Sequence, residues 1–153
     1  MKKLLIVFLI LGLTEYVYAS DIVRIRTLFE QANLDEEKNN ELINLTKPYS
    51  LSKNPLYYAY YAAGVMSLAN HTYWPLQKLD YFNEGKEMLE KAIARDSRNV
   101  EIRFIRYSIQ KNAPSFLGYS GNIEADRKFI LDNLNTSTWS AAYKKKIKQN
   151  LSL

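Results

Sequence analysis

Three positions near the middle of the chain constrain its fold more than any others. Gly85 and Ala92 flank Leu89, so a small residue is followed by a large apolar one four positions on and another small one three further, with Ile93 and Asp96 behind. Positions at that spacing share one face of an α-helix. Small residues on such a face let a neighbouring helix come close. The segment therefore predicts helix packed on helix.

Helical periodicity recurs along the chain, and no stretch shows the sustained alternation of a strand. Residues 21 to about 32 carry Ile22, Ile25, Leu28 and Phe29 on one face, with Ser20 or Asp21 as N-cap. Asp35 caps a second helix that Pro48 ends. Asn54 and Pro55 begin a third, running to about Asn70 and apolar nearly all round, as expected of a central, buried element. A long connection, His71 to Gln77, leads to a fourth helix from about Lys78 to Arg95. Asp96 to Asn99 form a turn. A fifth helix spans Val100 to about Lys111, stopped by Asn112-Ala113-Pro114. A sixth runs from about Asn122 to Leu134, and a seventh from about Ser137, with Trp139, Tyr143 and Ile147 four residues apart. The expectation is an all-α domain of about seven helices.

The first nineteen residues are expected to lie outside that domain. Lys2 and Lys3 precede the apolar run Leu4 to Leu13, and Val17-Tyr18-Ala19 fits a small-x-small cleavage site, the layout of a secretory signal peptide. The run is shorter than the roughly 20 residues a membrane-crossing helix needs. Cleavage after Ala19 leaves residues 20–153 as a single domain and takes the formal charge from +5 to +4. Such a mild charge, together with export, argues against a nucleic-acid partner. The chain has no cysteine, so no disulfide or thiolate metal site is available and packing must supply stability.

Gly85, Leu89 and Ala92 match the second-helix positions of the tetratricopeptide repeat, a helix-turn-helix unit of 34 residues, and Ser97 stands at that family's terminal proline. The chain thus resembles the family over Gly85 to Ser97, with Pro55 to Asn70 as the first helix of the unit. A second unit would pair Val100–Lys111 with Asn122–Leu134. There Ile102, Ile105 and Ile109 fit the apolar spacing, and Arg106 replaces a small residue. The resemblance implies antiparallel hairpins stacked as a degenerate repeat with lengthened loops. An irregular helical bundle obeys the same packing rules and stays the alternative. Tyr73-Trp74-Pro75, the segment Tyr81 to Lys86 and the segment Asn112 to Tyr119 also resemble a group of small exported proteins of Gram-negative bacteria with no assigned activity. That likeness implies a periplasmic location, with secretion as the alternative.

Little in the sequence points to catalysis. His71 is the only histidine and lies where it would cap the carboxyl end of the third helix. Ser115 and Ser120 lack the strand-turn-helix setting of an esterase nucleophile. Gly118 to Gly121 is too short for a phosphate-binding loop. Glu84, Glu87, Glu90 and Glu101 read as surface carboxylates with partners such as Lys91. No enzyme, metal or cofactor is expected.

Binding is the remaining expectation. In a repeat stack the first helices of each hairpin line a concave surface. If Ile102 and Ile105 point into the stack, then Arg103, Tyr107 and Gln110 face the groove, with Tyr57 and Tyr61 as counterparts on the third helix and Trp74 nearby. Arg103 beside Tyr107 suits a carboxylate or an acidic peptide end. The expected function is capture of a protein or peptide partner there. The alternative is a lipid, peptide or glycan in a pocket lined by the aromatic cluster from Tyr57 to Phe82, unless those rings simply fill the core. Lys144, Lys145, Lys146 and Lys148 lie opposite Trp139, Tyr143 and Ile147, which fits either a packing helix or contact with a membrane surface.

Overall fold

A computed structural model describes residues 21–49 and 51–151. The expected signal peptide, with the Ser20 cap, lies outside them. The described residues form seven α-helices and no strand. They are α1 (21–31), α2 (Glu36–Thr46), α3 (Pro55–Ser67), α4 (Pro75–Arg95), α5 (Val100–Asn112), α6 (Ile123–Asn133) and α7 (Ala141–Leu151).

Local chemistry sets most of the boundaries. The Asp35 side chain accepts from the Lys38 amide, Asn54 from the Tyr57 amide, and Asn99 from the Glu101 and Ile102 amides. Each occupies donors that a helix start leaves unpaired. Two boundaries differ from expectation. Helix α4 starts at Pro75, not Lys78, because proline fits the first helical turn, where its missing N–H costs nothing. The expected loop thereby shortens to 71–74, and Leu68–Asn70 before it, expected as the end of α3, form a 3-10 turn. Helix α7 starts at Ala141, not Ser137, since the Ser140 hydroxyl accepts from the Tyr143 amide. Trp139 therefore precedes the helix.

Helix α3 is the centre, packing against α2, α4 and α5. The 85–92 pattern marks its seam with α4. A Cβ on Gly85 would stand 2.6 Å from the Ala62 carbonyl oxygen and 2.8 Å from the Met66 amide nitrogen, both backbone atoms. Only glycine permits that approach. Leu89 and Ala92 beside it are fully buried. Gly64 opens the opposite face of α3, where a Cβ would meet Ile43 of α2 at 2.8 Å. This apolar core gathers Ile25, Leu28, Leu42, Tyr60, Phe82, Ile102 and Ile105. A smaller one joins Phe104 and Tyr107 to Ile130, Trp139, Ile147 and Leu151. Ile147 and Leu151 thus make α7 a packing helix, with Lys146 bound to Glu30 of α1 at 2.5 Å. No helix of the described residues is long and apolar enough to cross a membrane.

Candidate functional site

A groove of about 820 Å³ opens among α1, α3, α4, α5 and α7. Small side chains create it. Ala63, Ser67 and Ser108 occupy wall positions where larger residues would fill the space. Phe29, Met66, Leu79, Phe82, Phe104 and Ile109 supply apolar surface from four helices, and Pro114, Phe116 and Leu117 add the turn after α5. Phe116 is 84% exposed. At the start of α4, Trp74 and Leu76 are 74% and 80% exposed beside Pro75 and Leu79, which line the groove.

Most polar groups of the wall are matched within it. Asn33 Oδ1 accepts from the Ser67 hydroxyl at 2.8 Å and from the Asn70 amide at 3.1 Å. The Asn112 side-chain amide donates to the Ser108 carbonyl at 2.7 Å, and Lys146 pairs with Glu30. What the groove presents is therefore chiefly dispersion surface.

Helices α3 and α5 both contribute walls, but not through the residues expected. Arg103, Tyr107 and Gln110 are engaged between helices. Arg103 does bind a carboxylate, that of Asp126 in α6 at 2.8 Å, while donating to the Ser97 carbonyl and lying over the Phe129 ring. Tyr107 is buried in the smaller core with its hydroxyl toward the Asn150 carbonyl, 3.5 Å away. Gln110 is buried and exchanges two hydrogen bonds with Asn122. Ile102 and Ile105 do point inward, but α6 and α7 cover the faces next to them, leaving Phe104, Ser108, Ile109 and Asn112 toward the groove. On α3, Tyr57 is buried with its ring 4.6 Å from that of Tyr49. Tyr61 is half-buried and meets Tyr58 edge-on. Trp74 is exposed at the groove's edge. The aromatic cluster thus divides: Tyr57, Tyr60 and Phe82 are core, while Tyr73 and Trp74 stand in solvent.

Two buried ionic networks escaped the sequence. Glu101, expected at the surface, is buried and accepts from Arg26 through Nε and Nη2 at 2.7 and 2.6 Å, from the Tyr60 hydroxyl at 2.5 Å and from Trp139 Nε1 at 2.9 Å. These four donors tie α1, α3 and the approach to α7 to the first turn of α5. Burial pushes the Tyr60 phenol well above its ordinary range, and the Glu101 charge adds to that. Burial opposes the Arg26 charge, but Glu101 outweighs it and holds the guanidinium above its usual value. Tyr143, whose ring lies 4.3 Å from the Arg26 guanidinium carbon, is likewise raised, by burial first and by Glu101 second.

The second network centres on Asp126, which is fully buried. Arg106 donates to it twice, at 2.7 and 2.9 Å, and reaches Glu90 at 2.9 Å. The Tyr119 hydroxyl donates to the other Glu90 oxygen at 2.5 Å. Glu90 therefore gains partners in α5 and the loop after it while its side chain stays 39% exposed, and Glu87 keeps its expected partner Lys91 at 2.6 Å. A sequence signal for these pairs is lacking because the partners lie 16 to 75 positions apart. His71 differs from expectation too: its Nε2 donates to the Ala32 carbonyl at 2.6 Å, at the end of α1 and not of α3.

Among the described residues, no group of three histidine or acidic side chains is placed to hold a metal ion. No protein-family model matches the chain, and no curated protein or solved structure shows significant similarity to it.

Proposed function

We propose that this chain is an exported, non-enzymatic binding protein whose working site is the groove among α1, α3, α4, α5 and α7. The groove itself carries the proposal: about 820 Å³ falls within the range of small-molecule sites, and its surface is mainly apolar with few polar groups left over. The carboxylates nearest to a catalytic arrangement, Glu101 and Asp126, are already bound on both oxygens. Export rests on the leader-like layout of the first nineteen residues. The pairing of α3 with α4 and of α5 with α6 is compatible with two divergent tetratricopeptide-like hairpins. A neutral apolar dye, N-phenylnaphthylamine, tests the site. Ser108→Trp and, separately, Asn112→Trp should each cut dye binding at least tenfold while the melting temperature stays within a few degrees. Undiminished dye binding in both folded variants would remove the groove as the site.

A second reading has its own observation. Tyr73, Trp74, Leu76 and Phe116 leave large apolar side chains exposed around the groove, the residue types that anchor protein interfaces. Capture of a protein partner would use this rim in place of Arg103, Tyr107 and Gln110. Trp74→Ala with Phe116→Ala should then abolish partner capture and spare dye uptake.

A further inference from the structure

We infer that the groove's occupant is a single-chain anionic amphiphile, a long-chain carboxylate whose tail lies along the apolar walls and whose head meets Lys78. This rests on the groove being the binding site. Lys78 differs from the other charged residues of the wall. Lys146 is neutralised by Glu30, and Asn33, Ser67, Asn70 and Asn112 are hydrogen-bonded within the wall. The Lys78 ammonium has no ion-pair partner among the described residues, although it lines the groove. One turn away on its helix stand Trp74, Tyr81 and Phe82, none of them acidic.

Nor does α4 carry an acidic residue in its first turn, so the positive end of the helix adds to the lysine charge uncompensated. A dispersion-dominated groove with one unmatched cation is complementary to a molecule with one anionic end and one long apolar part. A peptide would bring a backbone donor and acceptor at every residue, more than the few polar side chains of the wall can pair. A cationic amphiphile would place its charge against Lys78.

Calorimetric titration with laurate and with dodecyltrimethylammonium, both below the concentrations at which they form micelles, separates these cases. Laurate should bind at least tenfold tighter than the cation of equal chain length. Going from decanoate to laurate should tighten binding by about fourfold per methylene. Lys78→Met keeps the apolar stem and should reduce the preference for laurate to within about twofold, with the melting temperature unchanged. Equal binding of the two charges, no binding of laurate, or an undiminished preference in Lys78→Met would overturn the inference. If laurate fails while N-phenylnaphthylamine still binds and Ser108→Trp still blocks it, the groove reading survives and only the anionic ligand falls.

Discussion

The seams on either side of the molecule are built on opposite principles. Between α3 and α4 the backbones touch through Gly85, and the flanking side chains are Ala62, Met66, Leu89 and Ala92. Between α5 and α6 an ionic contact is set beside the apolar one, with Arg103 and Arg106 converging on a single buried carboxylate. The first seam depends on shape. It has no charge to leave unpaired, but also no room to yield, because the atoms facing Gly85 include backbone. The second tolerates some change of shape and depends on every charge keeping its partner. A buried ion pair returns little net stability once desolvation is counted, yet removing one member leaves the other stranded.

Substitution at each seam should show the difference, and the largest effect belongs to the apolar one. Gly85→Val drives three carbons into a space already closed to a Cβ at 2.2 Å from Met66 Cγ. Loss of about 4 kcal/mol or more is expected, a large part of the roughly 5–15 kcal/mol that holds an ordinary domain folded. A urea midpoint within experimental error of the parent would show that the helices can separate at no cost.

Asp126→Ala should cost about 3–5 kcal/mol by leaving Arg103 without a carboxylate and Arg106 with Glu90 as its remaining one. The distinguishing measurement is the double variant Arg106→Met with Asp126→Leu, which should recover at least half of that loss. Should the double variant be as unstable as the single one, the pair would be contributing net stability and the contrast between the seams would collapse.

The smallest effect is expected at Tyr119, which is buried and donates to Glu90. Burial first, and the Glu90 hydrogen bond second, raise its phenol above the ordinary value of 10.0. A raised folded-state pKa means that this contribution is fully present below pH 10 and declines as pH rises beyond it, since the unfolded chain loses the proton more readily. Tyr119→Phe should lower stability by about 1 kcal/mol at pH 7. It should also make the loss between pH 10 and 11.5 shallower than in the parent, followed by thermal melting and by tyrosinate absorbance. Parallel curves for the two proteins would show that Tyr119 ionises as freely folded as unfolded.

Much of the fold was legible because its causes are local. A cap side chain reaches an amide two or three residues on, so Asp35 and Asn54 are read directly as caps, while Asn99 is read only as the end of a turn. Proline in a first turn is an equally local signal, yet periodicity places the start of α4 three residues late, at Lys78. The seam of Gly85, Leu89 and Ala92 was visible because a small-large-small stripe marks close approach whatever the partner. The repeat likeness predicts a binding face on α3 and α5, whereas the groove opens among five helices and is lined by other residues of those two.

The sequence by itself determined seven helices, most of their ends and the stripe on which α4 meets α3. Helical period fixes which side chains share a face, and capping chemistry fixes where a helix begins. Tertiary structure decided which of those faces stay open. Arg103, Tyr107 and Gln110 look like a surface until α6 supplies Asp126 and Asn122 and α7 covers Tyr107. Ser108 and Ile109, one position along from Tyr107 and Gln110, reach an open groove because the small side chains opposite leave space. One residue is about 100° of rotation on a helix, and that angle is set by neighbours many positions away in the chain.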